Sequence, residues 1–142
     1  MDRKSVGQIG EDIACGYLVD KGYQIIGRNY REKFGEIDII TKSPDKTLVF
    51  VEVKTITIPV SPVDKSPASY PHLAGLESAY EDKLFTAEDH LNPSKLTRFK
   101  KISQWYANKH PELISGAGYE LDAITITLEN GTAGIKHYKN IL

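Results

Sequence analysis

The sequence predicts an α/β fold of the α+β type, in which helices pack on a mixed central β-sheet. The first observation is the order of the predicted elements, α-β-β-β-α-β-β. Three consecutive strands favour an antiparallel meander, and the helix that follows can return the chain so that a fourth strand joins the sheet. The second observation is size and composition: 142 residues, 40% hydrophobic and 26% charged, suit a single globular domain spanning 1–142.

The first half of the chain predicts one helix and three strands. The helix covers residues 5–21 and ends before Gly22, a typical stop residue. Its apolar side chains recur at helical spacing, at Val6, Ile9, Ile13 and Tyr17. Strand-like runs follow at residues 23–31, 35–41 and 47–56.

Residues 57–92 predict a proline-rich, acidic insertion, with four of the seven prolines of the chain. Residues 64–90 contain six acidic and two basic residues, so the remainder of the chain carries +3 although the whole carries −1. A short helix is predicted at residues 75–85. An irregular connection of this length is generally functional or mobile.

The second half predicts a helix and a hairpin. Asn92 is a capping residue and Pro93 suits the first helical position, so a helix is expected to run to Lys109. Its buried stripe is predicted to be Leu96, Phe99, Ile102 and Tyr106. Strands are expected at residues 119–128 and 133–142, joined by an Asn130-Gly131 turn.

Charged residues within the apolar strands indicate a site. Because side chains alternate between the faces of a strand, Glu52 and Lys54 share a face. If the preceding strand pairs with theirs, Asp38 lies beside Glu52, and the two acids repel one another unless a cation joins them. Mg²⁺ is the natural candidate. With Lys54 orienting or deprotonating a water, the set predicts metal-assisted phosphodiester hydrolysis.

Glu11 extends this set, because on a helical projection it lies at the edge of the apolar stripe, whereas Asp12 points to solvent. The alternative interpretation is an exposed Glu52–Lys54 ion pair on a solvated sheet face, worth about 0–1 kcal/mol. The additional acids, Asp38 and Glu11, favour the site.

The set Asp38, Glu52 and Lys54 resembles the motif of the PD-(D/E)XK nuclease superfamily. A longer pattern over residues 7–55 resembles the YraN family of predicted endonucleases, whose restriction-endonuclease-like fold is similar to archaeal Holliday-junction resolvases. The pattern comprises Gly7, Glu11 and Ala14; Tyr17-Leu18; Gly22-Tyr23; Arg28-Asn29-Tyr30-Arg31; Gly35-Glu36-Ile37-Asp38; and Phe50-Val51-Glu52-Val53-Lys54-Thr55.

The resemblance implies a DNA endonuclease dependent on Mg²⁺ or Mn²⁺, acting on branched DNA or on repair and recombination intermediates. It implies that Glu11, Asp38 and Glu52 are metal-site acids and that Lys54 is the catalytic lysine. The sequence departs from the superfamily's motif where Ile37 replaces a proline, although this form is normal in the YraN branch. It departs from the family's pattern at Ile56, where a basic residue is usual, and in the longer and more acidic insertion 57–92. These departures concern substrate docking rather than chemistry, since the four core positions are intact.

Basic residues outside this set are candidate nucleic-acid contacts: one cluster near the first turn, and a basic shoulder with a tryptophan on the second helix. They are Arg28, Arg31, Lys33, Lys95, Arg98, Lys101 and Trp105. The alternative for the helix is an ordinary solvated face with a partly buried tryptophan.

Other polar residues are interpreted structurally. Asp122 is expected at a strand start with local hydrogen bonds, and Cys15 as a packing residue. The histidines are expected at the surface: His72, His90, His110 and His137. A single cysteine favours a cytoplasmic setting. The N-terminus has no apolar core of a signal peptide, and no apolar run reaches the ~20 residues of a membrane span.

Two alternatives to an enzyme remain open. Near-neutral net charge and the acidic insertion favour a non-catalytic nucleic-acid-binding protein on the same fold. A protein-interaction module could instead dock through residues 57–92, or that insertion could cover the site as a DNA mimic. A homodimer would enlarge the basic surface, and nuclease relatives of this shape are often dimeric.

Overall fold

The computed structural model describes residues 2–59, 92–116 and 118–142. Its helices and strands follow the predicted order. They are α1 (Arg3–Asp20), β1 (Gln24–Glu32), β2 (Gly35–Lys42), β3 (Leu48–Thr57), α2 (Pro93–Lys109), β4 (Tyr119–Glu129) and β5 (Thr132–Tyr138), with a short 3-10 turn at Pro111–Leu113. The helix predicted at 75–85, and most of the insertion 57–92, lie outside the described residues.

The described strands form one mixed sheet in the order β1-β2-β3-β4-β5. The first three pair antiparallel, β3 pairs parallel with β4, and β4 pairs antiparallel with β5. This confirms the predicted meander and the return of the chain through the second helix. The last strand is shorter than predicted: it ends at Tyr138, and Asn140 adopts a positive φ of 51°.

Both helices begin at capping residues. The Asn92 side chain accepts a hydrogen bond from Lys95 N–H at 2.8 Å, with Pro93 in the first turn, as the sequence predicts. α1 begins two residues earlier than predicted because the Asp2 side chain accepts from Ser5 N–H at 2.8 Å. It ends before Gly22, whose φ of +90° suits glycine.

Each helix covers one face of the sheet. α1 packs through Ala14 and Leu18 against one set of buried strand residues, and α2 packs through Phe99 and Ile102 against the other. The strands supply Ile39, Val49, Val51, Ile124 and Ile126 to the α1 side and Ile37, Ile40, Leu48, Phe50 and Leu121 to the α2 side. The central residues of β2 and β3 are therefore covered on both faces, and an acid placed among them is removed from water.

α1 lies directly against β3 at Gly10. A Cβ atom there would lie 1.7 Å from Thr55 Oγ1 and 2.8 Å from Thr55 Cβ, so only glycine fits. This contact brings the first half of α1, and with it Glu11, against the end of β3 that follows Glu52. Among the described residues, no helix is long and apolar enough to span a membrane.

Candidate functional site

Asp38 and Glu52 meet at the centre of the sheet. β2 and β3 pair antiparallel with Ile39 opposite Val51, and the next step of this register places Asp38 opposite Glu52. Asp38 is 8% exposed, and its Oδ2 accepts a hydrogen bond from the Val53 backbone N–H at 2.7 Å. Among the described residues neither carboxyl group forms an ion pair within 4.0 Å. The structure thus brings the two predicted acids together, with Asp38 buried and Glu52 half-buried.

The environment of this carboxylate pair favours protonation. Burial, followed by repulsion from Glu52, raises the pKa of Asp38 to about 8, against the opposing hydrogen bond from Val53. Burial likewise raises the pKa of Glu52 to about 7, and the positive charge of Lys95 opposes that rise. The pair therefore retains a proton near neutral pH in the metal-free protein. A divalent cation that binds to the pair would displace this proton.

Glu11 lies close to the pair but is already engaged. Its negative charge contributes to the raised pKa of both Asp38 and Glu52. Its side chain is 16% exposed and lies 3.7 Å from Arg28 Nη2, which donates to Asp12 Oδ1 at 2.7 Å. Arg28 is thus bound to two acids of α1, and Asp12, although exposed, is ion-paired rather than merely solvated.

Lys54 follows Glu52 by two residues on β3 and lies exposed. The register of β3 with β4 places it opposite Thr125, as Glu52 is opposite Ala123. It forms no hydrogen bond or ion pair with any described residue, so its ammonium group is available to solvent or to a ligand. Within residues 2–59, 92–116 and 118–142, no three His, Cys, Asp or Glu side chains are close enough to enclose a metal ion.

A groove opens beside the carboxylate pair, between the β1–β2 turn and α2. Its volume is about 500 Å³. The lining combines Glu52 with four of the predicted nucleic-acid contacts: Arg31, Lys33, Lys95 and Arg98. Glu32, Phe34, Gly35, Glu36 and Phe99 complete it. Arg31 pairs with the exposed Glu36, Nε to Oε2, at 3.2 Å.

The remaining predicted contacts, Lys101 and Trp105, lie further along α2. Trp105 is 41% exposed, and its ring meets Phe34 edge to face with 5.5 Å between centroids. Lys101 Nζ lies 5.3 Å from the centroid of Phe34, and Lys109 Nζ lies 4.4 Å from that of Trp105. Sequence analysis missed Phe34 and Lys109, although Lys109 follows Trp105 at i+4 spacing.

A second buried aspartate corrects two sequence predictions. Asp122 is fully buried within β4, and its partners are distant in sequence: His137 Nε2 donates to Oδ2 at 2.8 Å, and Asn140 N–H donates to Oδ1 at 2.9 Å. The predicted local hydrogen bonds at a strand start are therefore wrong. The surface placement of His137 is also wrong, since its side chain is 5% exposed and its Nδ1 is hydrogen-bonded to the Tyr17 hydroxyl at 3.2 Å.

The other structural residues give a mixed outcome. Cys15 is half-buried, and burial raises the pKa of its thiol, which agrees with a packing role. His110 is half-buried, and its ring lies 4.3 Å from that of Tyr106. His72 and His90 lie outside the described residues.

Comparisons with known proteins point to one family. The model described as "Uncharacterised protein family UPF0102" matches residues 10–68. A UPF0102 protein of Desulforamulus reducens is 30% identical over 142 residues, which is 100% of this chain and 98% of that protein. One from Caldicellulosiruptor bescii is 54% identical over 55 residues, which is 39% of this chain and 45% of that protein.

Among solved structures, Pyrococcus furiosus SfsA in complex with Ca²⁺ matches with a TM-score of 0.36 and 18% identity. The match covers 97% of this chain and 64% of that chain.

Proposed function

This chain belongs to UPF0102, the YraN family, and we propose that it is a divalent-metal-dependent endonuclease that hydrolyses phosphodiester bonds of DNA. The observation that carries the proposal is the carboxylate pair, in which the buried Asp38 lies beside the half-buried Glu52. Two acids that meet within a sheet without an ion-pairing partner among the described residues cost stability. Such an arrangement is typical of a functional site, and it is the donor set that a divalent cation needs.

The chemistry of this pair suits Mg²⁺ or Mn²⁺. Both side chains offer hard oxygen donors, and a site with one or two protein carboxylates leaves positions for water and for substrate phosphate. Asp38 and Glu52 would hold the ion, and Glu11 adds negative charge close by. When bound, such an ion polarises a phosphodiester oxygen and lowers the pKa of a water ligand.

The cationic side chains supply the remaining functions. Lys54, exposed and free of described partners, is suited to take or hold the proton of an attacking water and to offset negative charge on the phosphate. Lys95 and Arg98, which line the groove with Glu52, are suited to hold the phosphate backbone against the site. Because these cations are concentrated in one groove, a net charge of −1 for the whole chain is compatible with DNA binding.

A non-catalytic nucleic-acid-binding module is the second candidate. The observation that favours it is the engagement of Glu11 with Arg28, which leaves two acids at the centre of the site instead of three. The groove and its cations would serve binding without cleavage. Metal titration and cleavage assays separate the two functions.

The test compares wild type with Glu52→Gln and Glu36→Gln. Glu36 is the matched control, because it also lines the groove but is exposed and paired with Arg31. We expect wild type and Glu36→Gln to bind Mn²⁺ in calorimetry and to cleave branched, flapped or single-stranded DNA at rates within a few-fold of each other. Glu52→Gln should lose both, with cleavage reduced at least ~100-fold. Undiminished cleavage by Glu52→Gln would remove the assignment of the site, and metal-independent binding without cleavage in wild type would favour the second candidate.

A further inference from the structure

An aromatic pair forms the outer end of the groove. Phe34 lines the groove itself, and Trp105 lies against it from α2. A tryptophan that is 41% exposed is a large apolar surface to leave in water. Its contact with Phe34 places it where a molecule bound in the groove can reach it.

The charges around this pair indicate what the ligand is. One side of α2 carries three cations and the tryptophan, because these residues recur at intervals of three or four positions. They are Arg98, Lys101, Trp105 and Lys109. Two of the lysines already lie over aromatic rings, at 5.3 Å from Phe34 and 4.4 Å from Trp105. Cations on either side of an exposed tryptophan are suited to a polyanion carrying flat aromatic groups, which is a nucleic acid strand.

The length of the stripe fits a short stretch of such a strand. Arg98 and Lys109 are eleven positions apart on the helix, a rise of about 16 Å. An unstacked single strand spans this length with a few nucleotides. Arg98 lines the groove with Glu52, so one end of the strand would lie at the carboxylate pair.

We propose that Trp105 stacks an unpaired base of DNA whose backbone lies along Arg98, Lys101 and Lys109. A base can cover the face of the indole only when it is outside a duplex stack, so the site takes substrates with a single-stranded segment. The stacked base takes the place of the Lys109 ammonium, whose flexible side chain then pairs with the adjoining phosphate. The inference rests on the proposed function for the substrate class, but its test requires no cleavage.

Trp105 is the only tryptophan of the chain, so its fluorescence reports directly on stacking. The titration uses the full chain carrying Glu52→Gln, in EDTA, with a dodecamer of thymidine, a blunt duplex of two complementary strands and a dodecamer of uridine as ligands. We expect the thymidine strand to quench the fluorescence and to bind more tightly than the uridine strand. The duplex should cause little quenching.

Substitutions at Trp105 decide the role of the ring, with affinity measured by anisotropy of labelled DNA. We expect Trp105→Ala to bind the thymidine strand about tenfold more weakly, and Trp105→Phe to stay within about threefold of the parent. Affinity for the duplex should change less than twofold. Val19→Ala is the matched control, since Val19 is an exposed apolar residue on the other helix, and circular dichroism establishes folding of every variant.

Several results would overturn the proposal: equal affinity of parent and Trp105→Ala for the single strand, equal quenching by duplex, or preference for RNA. If the protein cleaves duplex DNA but single strands do not quench the Trp105 fluorescence, the proposed function stands and this inference fails. If single strands stack on Trp105 but the protein cleaves no DNA, this inference stands and the proposed nuclease function fails.

Discussion

Replacing Asp38 by asparagine is expected to stabilise the metal-free protein while abolishing metal binding. Burial and the neighbouring Glu52 raise the pKa of Asp38 to about 8, from an ordinary value of 3.8. Between about pH 4 and pH 8 the native state therefore holds a proton that the unfolded chain has lost. The unfolding free energy of the metal-free wild type must fall as the pH rises through this window.

The size of the effect follows from the separation of the two pKa values. At pH 8 the unfolding free energy lost in this way is at most about 5 kcal/mol, at about 1.36 kcal/mol for each pH unit. Asparagine has the same shape without the charge, and its carbonyl oxygen can still accept from the Val53 N–H. We expect a gain of about 2–4 kcal/mol at pH 8, because Glu52 keeps its own burial cost and a neutral acceptor bonds more weakly.

The assay is urea unfolding followed by circular dichroism, in EDTA, at several pH values from about 4 to 8. Asp122→Asn is the matched control, because Asp122 is also buried but accepts hydrogen bonds from His137 and Asn140. That variant should be less stable than wild type by about 1–3 kcal/mol at pH 8. An Asp38→Asn variant no more stable than wild type at pH 8, or equally stabilised at pH 4 and pH 8, would refute the reasoning.

Two further predictions concern the surroundings of the carboxylate pair. Gly10→Ala should lower the unfolding free energy by about 1–3 kcal/mol, because the new methyl group collides with Thr55, whereas Gly16→Ala, with open space around it, should be neutral or stabilising in the same urea assay. Lys95→Met should shift Mn²⁺ binding to higher pH, because Lys95 opposes the rise in the pKa of Glu52. Calorimetry across pH measures this shift, and an unchanged pH profile, or an equal shift in Lys100→Met, would contradict it.

The carboxylate pair was predictable from the sequence because it depends on local rules. Strand alternation places Asp38 and Glu52 on defined faces, and the short connection between β2 and β3 makes them antiparallel neighbours with little freedom of register. The start of α2 was predictable for the same reason, since the Asn92 cap and Pro93 act within one helical turn. In each case the physical cause lies within about fifteen residues of sequence.

The parts that sequence analysis missed depend on packing between distant segments. His137 contacts Tyr17 across 120 residues, and only the seating of α1 against β4 and β5 brings them together. The collision that restricts position 10 to glycine exists only because α1 crosses β3 at Thr55. Arg28, predicted as a nucleic-acid contact, forms ion pairs with two acids of α1 that the sequence pattern did not indicate. Periodicity carries no information about such partners.

The two buried aspartates of this sheet differ in how the surrounding protein compensates their charge. Asp122 receives a histidine N–H and a backbone N–H, so its charge is satisfied by the protein itself. Asp38 receives one backbone N–H and faces Glu52, whose charge opposes its own. Removing the charge from Asp122 breaks a network that holds α1, β4 and β5 together, whereas removing it from Asp38 relieves repulsion. Stability alone gives no reason for the second arrangement, and the repulsion at Asp38 is consistent with the metal site proposed above.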